Sequence, residues 1–175
     1  MSRARPRGQP ATAGIFSAFE QAAGAAALQC KRGKQAVANR CQDQVQAKSA
    51  SMQFTASVDM DAAFAQAEPN AHRWDYGLGL RLRGGAEFAV WVEPHPAAST
   101  REVKVVLVKL DWLQAKLRQP EFSALQDLTE VCAHQGWPRF HWLATGRVTL
   151  HPGSREARML AQRGMKLPTS RVVIG

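Results

Sequence analysis

The sequence predicts an α/β fold, a mixed β-sheet flanked by helices, and three observations carry that expectation. Trp74, Tyr76, Leu78, Leu80 and Leu82 alternate with Asp75, Gly77, Gly79 and Arg81, the period of two of a strand with one buried face. Gly84-Gly85 follows, and a second alternating run sets Phe88, Val90 and Val92 against Glu87, Ala89, Trp91 and Glu93, so the pair reads as a β-hairpin. Beyond it Val103, Val106, Leu107, Leu110, Leu113 and Leu117 recur at helical spacing, and strand-like and helix-like runs alternate to the C-terminus.

Taken in order, residues 1–12 are rich in Arg, Pro and Gly and are expected to be a disordered basic tail. Residues 13–29 carry Ile15, Phe16, Phe19, Ala22, Ala23 and Ala26 on a helical stripe; the small residues predict close packing against a sheet or a second helix. Residues 30–48 are basic and glutamine-rich and read as a solvated linker or surface helix, so 13–50 form a helical N-terminal segment and 51–175 the α/β core. Residues 52–58 alternate as a strand, and Asp59 or Asp61 is placed to cap a short helix over 62–67 that Pro69 stops. Pro94 lacks a ladder donor and is expected to end the second hairpin strand.

Ser99-Thr100-Arg101-Glu102 has the pattern of a capping box opening the long helix. Pro120 interrupts it. Residues 122–134 form another helix with Leu125, Leu128, Val131 and Cys132 inward. Residues 139–144 read as a strand, 146–150 as a further short one, and Ser154 caps a helix that ends at Gly164. Residues 171–174 close the chain as an edge strand. Trp137 and Trp142 are expected in the core. His134, His141 and His151 have no metal-ligand spacing, and there is no Gly-rich phosphate loop.

Composition narrows the class. The formal charge is +9, from 23 basic and 14 acidic residues, and residues 1–50 contribute +6 of it. A chain this basic suits nucleic acid or another polyanion, and a protein partner stays open. Three cysteines without Cys-x-x-Cys spacing argue against a disulfide framework and a zinc ribbon, which favours a reducing cytoplasm. No apolar run has the length of a membrane span, and Glu20 and Gln21 break the only stretch resembling a signal h-region.

The hairpin carries the chemistry. Asp75 opens one strand and Glu93 closes its antiparallel partner, so the two acids meet. Two carboxylates on neighbouring strands stand roughly 5 Å apart, and at an effective dielectric of about 20 they repel by roughly 3 kcal/mol. A proton, a basic neighbour or a divalent cation must relieve this. Mg²⁺ favours one or two carboxylates with water and phosphate oxygens, whereas Arg73 and Arg81 offer simple ion pairs.

An aspartate at a strand start, a hairpin, Glu-x-basic near the next strand's end and a following helix together resemble the PD-(D/E)XK nuclease superfamily, the restriction-endonuclease-like fold, over about residues 52–174. Asp75 matches the family's aspartate and Glu93 its second acid. Trp74 stands where the family has proline, and His95 where it has lysine. Some members carry that lysine on the following helix, which here offers Lys104 or Lys109. Lys109 borders the apolar stripe, while Lys104 lies about 140° away on the helix wheel, turned toward solvent. The resemblance implies a metal-dependent phosphodiesterase acting on DNA or RNA. Asp75 and Glu93 would hold Mg²⁺, and Lys109 or His95 would orient water or offset developing charge. The alternative is a catalytically inactive nuclease-like protein that binds nucleic acid or a protein partner.

Overall fold

The computed structural model describes residues 16–175; the expected disordered tail over residues 1–12 lies outside them. The elements run α1 (Ala18–Ala25), β1 (Cys30–Arg32), α2 (Asn39–Gln42), β2 (Val45–Ala47), β3 (Met52–Asp59), α3 (Met60–Phe64), β4 (Tyr76–Leu82), β5 (Glu87–Ala97) and α4 (Thr100–Leu117). A 3-10 turn (Pro120–Phe122), α5 (Ser123–His134), β6 (Phe140–Val148), α6 (Arg155–Gln162) and β7 (Val172–Ile174) complete them.

The fold is α/β around a mixed five-stranded sheet in the order β1-β3-β4-β5-β6. Strands β1, β3, β4 and β5 pair antiparallel, and β6 joins β5 in parallel after the crossover through α4 and α5. One face packs against helices: Ala56, Val58, Ala89 and Trp91 meet Phe19, Ala22 and Ala23 of α1, Val106, Leu110 and Leu113 of α4, and Leu125 of α5. The other face, with Leu78, Leu80, Phe88, Val90 and Val92, is covered by Val37, Cys41, Val45, Val172 and Ile174. Each large apolar side chain buried this way contributes about 1.5–3 kcal/mol.

The hairpin is therefore buried on both faces, where its alternation predicted one. Gly77 and Gly79 explain the difference. A Cβ on Gly77 would stand 2.6 Å from Cζ3 of Trp91, and one on Gly79 would stand 2.5 Å from Cβ and Cγ of Phe19. These positions are bare so that an indole and a helix can lie directly on the backbone. The period of two suggests apolar against polar, but at Gly77 and Gly79 its second phase is a missing side chain.

Residues 30–50, expected as a linker or surface helix, instead supply β1 to the main sheet, the short helix α2, and β2, which pairs in parallel with β7. The closing strand is thus part of a second, two-stranded sheet, because its partner lies in a segment whose polar composition hides it. The helix expected over residues 13–29 is confined to Ala18–Ala25 within the described residues. Its capping box is Ser17 with Glu20: Glu20 N donates to Ser17 Oγ at 3.1 Å and Ser17 N to Glu20 Oε2 at 2.7 Å.

The box expected at Ser99 does not form; the Ser99 side chain makes no capping bond, and Glu102 turns to His95 instead. Nor does Pro94 end its strand. Pairing with β4 stops at Tyr76↔Val92, while β5 runs on beside β6 to Ala97, so the proline sits where one flank is already an edge. The two strands expected over 139–150 are a single one, β6. The short helix expected over 62–67 spans Met60–Phe64, with Asp59 as its cap at 2.8 Å from Ala62 N.

Cys30, Cys41 and Cys132 are free thiols. Burial pushes Cys30 and Cys132 up to about 11. No helix among the described residues is long and apolar enough to cross a membrane.

Candidate functional site

The site forms where β4 begins and β5 passes it. Tyr76 pairs with Val92, which sets the preceding residue, Asp75, opposite the following one, Glu93. Alternation along β5 turns Glu93 to the same face as Trp91, the face α4 covers. Helix α4 docks through Val103, Val106, Leu110, Leu113 and Leu117. Lys109 follows Val106 by three residues and precedes Leu113 by four, so it lies beside that stripe and over the strand ends.

Its ammonium joins both acids. Lys109 Nζ donates to Asp75 Oδ1 at 3.0 Å and, in a shorter contact, to Glu93 Oε1. The Asp75 backbone N–H donates to Glu93 Oε2 at 3.0 Å. Two oxygens bound to one nitrogen are at most roughly 6 Å apart. The Glu93 side chain is 0% exposed and that of Asp75 24%, so the cluster is closed at the glutamate and open at the aspartate.

The charge balance is incomplete. Burial, then the nearby Asp75 charge, push the Glu93 carboxyl well above its ordinary value. Burial works against the Lys109 ammonium, but Glu93 and Asp75 outweigh it and raise its pKa. Two carboxylates facing one ammonium carry one formal negative charge more than the lysine offsets.

His95 extends the cluster. Its Nδ1 lies 3.6 Å from Glu93 Oε1 and its Nε2 2.7 Å from Glu102 Oε2. Trp142 holds this stretch from the neighbouring strand, donating from Nε1 to the His95 carbonyl at 3.0 Å. Lys104 is exposed and lies beside Arg155 and Glu156 of α6, on the wall of a separate small groove. The structure thus gathers Asp75, Glu93, His95 and Lys109, and leaves Lys104 out.

Glu102 is expected from the sequence only as a capping acid, and Lys116 carries no sequence expectation. Seven residues is close to two helical turns, so Glu102, Lys109 and Lys116 form one charged line along α4. Lys116 pairs with Glu68 in a short contact, its ammonium 4.2 Å from the Phe64 ring centroid. Trp112 Nε1 bonds the same glutamate at 2.6 Å. The regular spacing is a visible signal; the partners, distant in the chain, are not.

Among the described residues no group of three or more His, Cys, Asp or Glu side chains is arranged to hold a metal ion. The two carboxylates nevertheless suit a hard cation. Only Oδ1 of Asp75 is hydrogen bonded among the described residues, and each carboxylate oxygen has two acceptor directions, so a cation can share these oxygens with Lys109. No family model, curated protein or solved structure matches this chain.

Proposed function

We propose that the protein is a metal-dependent phosphodiesterase acting on DNA or RNA, with Asp75, Glu93, His95 and Lys109 as its site. The observation that carries this reading is the convergence of Asp75 and Glu93 on one lysine delivered by the crossover helix. The order of helix, strand, hairpin, crossover helix and parallel strand is compatible with the restriction-endonuclease-like fold. Asp75 and Glu93 would hold Mg²⁺, a hard cation suited to one or two carboxylates and phosphate oxygens. When bound, the metal polarises the phosphate and lowers the pKa of an attacking water.

The chain's own groups do the rest. Lys109 keeps the carboxylates together and presents its ammonium where phosphate charge develops. His95, fixed by Glu102, sits within reach of the same space and orients a water. Trp142 fixes the backbone under His95. A second reading, an inactive protein that binds nucleic acid or a protein partner, is favoured by Lys109 itself: its ammonium already serves both acids, and such a triad can be purely structural.

The test is cleavage of single- and double-stranded DNA and RNA with Mg²⁺ or Mn²⁺ against EDTA, together with calorimetric Mn²⁺ binding. Cleavage and Mn²⁺ binding by the wild type are expected, both lost in Asp75→Asn. Cleavage is expected to be lost in Lys109→Ala and kept in Lys104→Ala. Normal cleavage by Lys109→Ala with none by His95→Ala moves the water-orienting role to the histidine. No cleavage and no Mn²⁺ binding by the wild type gives the site to the inactive reading.

A further inference from the structure

A large concavity lies at the other end of the hairpin. It has a volume of about 1050 Å³ and is bounded by the turn after β1, the tip of the β4–β5 hairpin and the start of α1. Strand β4 separates it from Asp75 by seven residues, roughly 20 Å at strand rise. It is therefore a site distinct from the acidic cluster.

Its chemistry is that of a polyanion groove. Arg32, Lys34, Arg81 and Arg83 line it against one acid, Glu20. Glu20 is committed to the α1 capping box. Lys34 is anchored, donating to the Gln42 and Val45 carbonyls at 2.6 and 2.8 Å, and Arg81 is held by the buried Glu87 at 2.8 Å. Arg32 and Arg83 both line the groove and have no carboxylate within ion-pair distance among the described residues. Arg32 is placed by β1 and its following turn, where Gly33 takes φ +54° and its N–H bonds the Thr55 carbonyl at 3.1 Å. Arg83 is fixed by its own N–H to the Ser51 carbonyl at 2.7 Å.

The remaining lining is not that of a simple phosphate site. Phe54 is half-buried with the Lys34 ammonium 5.2 Å from its ring centroid, and the exposed Gln35 and Gln53 offer amide donors and acceptors. An aromatic face and amides within a positive cleft match unstacked bases on a phosphate backbone. A duplex keeps its bases stacked inside and would use only the two arginines.

We propose that this groove binds single-stranded nucleic acid, with Arg32 and Arg83 clamping the backbone and Phe54 stacking a base. That the ligand is a nucleic acid rests on the phosphodiesterase reading; the groove's charge and form do not.

The test is fluorescence anisotropy of a labelled single-stranded oligonucleotide in EDTA over a KCl series, with the full chain, so that binding is read without cleavage. Variants are Arg32→Ala/Arg83→Ala, Phe54→Leu, and a control of equal charge loss at the exposed Arg147→Ala/Arg171→Ala. Losing two phosphate contacts is expected to weaken binding at least about tenfold and to flatten the log–log salt slope by roughly 1.4. Phe54→Leu is expected to weaken it about fivefold or more, in keeping with about 1–3 kcal/mol per stacked base. The control is expected to bind like the wild type, and a duplex of equal length more weakly. Equal losses in the groove and control variants, tighter binding of the duplex, or no binding at low salt would each overturn the proposal. Binding here with no cleavage by any protein would sink the enzyme reading and leave the groove standing.

Discussion

Lys109 closes on Glu93 from the middle of α4, and the carboxylate it meets is buried entirely. Without Lys109 the buried acid keeps only His95, at 3.6 Å, and breaking a buried pair costs about 3–5 kcal/mol. Lys109→Met is therefore expected to lose stability by that amount in urea unfolding, while Lys104→Met stays within about 0.5 kcal/mol of the wild type. Adding Glu93→Gln to Lys109→Met should recover much of the loss, since neighbouring sites couple. Equal, small effects at the two lysines would show that the triad does not hold α4 to the sheet.

Glu87 anchors α1. Its carboxylate accepts from the Ala18 and Phe19 amides at 2.9 and 3.2 Å, Thr55 Oγ1 at 2.5 Å and Arg81 Nη2 at 2.8 Å. Burial raises the Glu87 carboxyl, but these donors outweigh it and hold it below its ordinary value. The unfolded chain then takes up the proton first as pH falls. The contribution is present in full above the unfolded carboxylate range and is lost as pH falls below it and through the lower folded value. Glu87→Gln is expected to cost about 1.5–3 kcal/mol at neutral pH, as for hydrogen bonds to a charged group, and the difference from wild type should shrink toward pH 3. A gap that stays constant across that range would sink the ionised-anchor account.

The glycines give opposite expectations. Gly79→Ala drives a methyl into Phe19 and Thr55, an overpacking that costs about 1–3 kcal/mol. Gly24, in the last turn of α1, has nothing within 4 Å of a built Cβ, so Gly24→Ala should stabilise by about 0.5–1 kcal/mol through helix propensity. Thermal unfolding of both variants checks the pair. Destabilisation by Gly24→Ala, or tolerance of Gly79→Ala, would contradict the packing of α1 on β4.

The thiols should be inert in the folded state. Only the thiolate attacks an alkylating reagent, and Cys30 and Cys132 are pushed up to about 11, while Cys41 is 2% exposed. Iodoacetamide near neutral pH is expected to label the native protein slowly and all three cysteines rapidly in urea. Fast labelling of native protein would mean that the cysteine-bearing segments open readily.

Periodicity alone determined that the two alternating runs form a hairpin, whereas the register, with Arg81 opposite Glu87, was decided by the folded sheet. Periodicity also brought Asp75 and Glu93 to paired strand ends and placed the apolar stripe of α4 with Lys109 on its border. Helix spacing is local geometry, and so is readable without the fold. The strands in residues 30–50 were hidden because each has three residues, too few to show a period, and each is stabilised by a partner distant in the chain. β1 lies on β3 and β2 on β7.

Tertiary structure alone decided what the polar groups do. Glu102 has the right spacing for a capping box, yet His95 captures it, since a bond to a neighbouring strand competes with one to its own helix end. Glu20 shows the opposite outcome on α1, where no such neighbour intervenes and the box closes. Gly77 and Gly79 look like the open side of a strand until Trp91 and Phe19 arrive. Local spacing fixes which side of an element a residue occupies; the identity of what faces it depends on contacts between segments far apart in sequence, and those are made only when the sheet is covered on both faces.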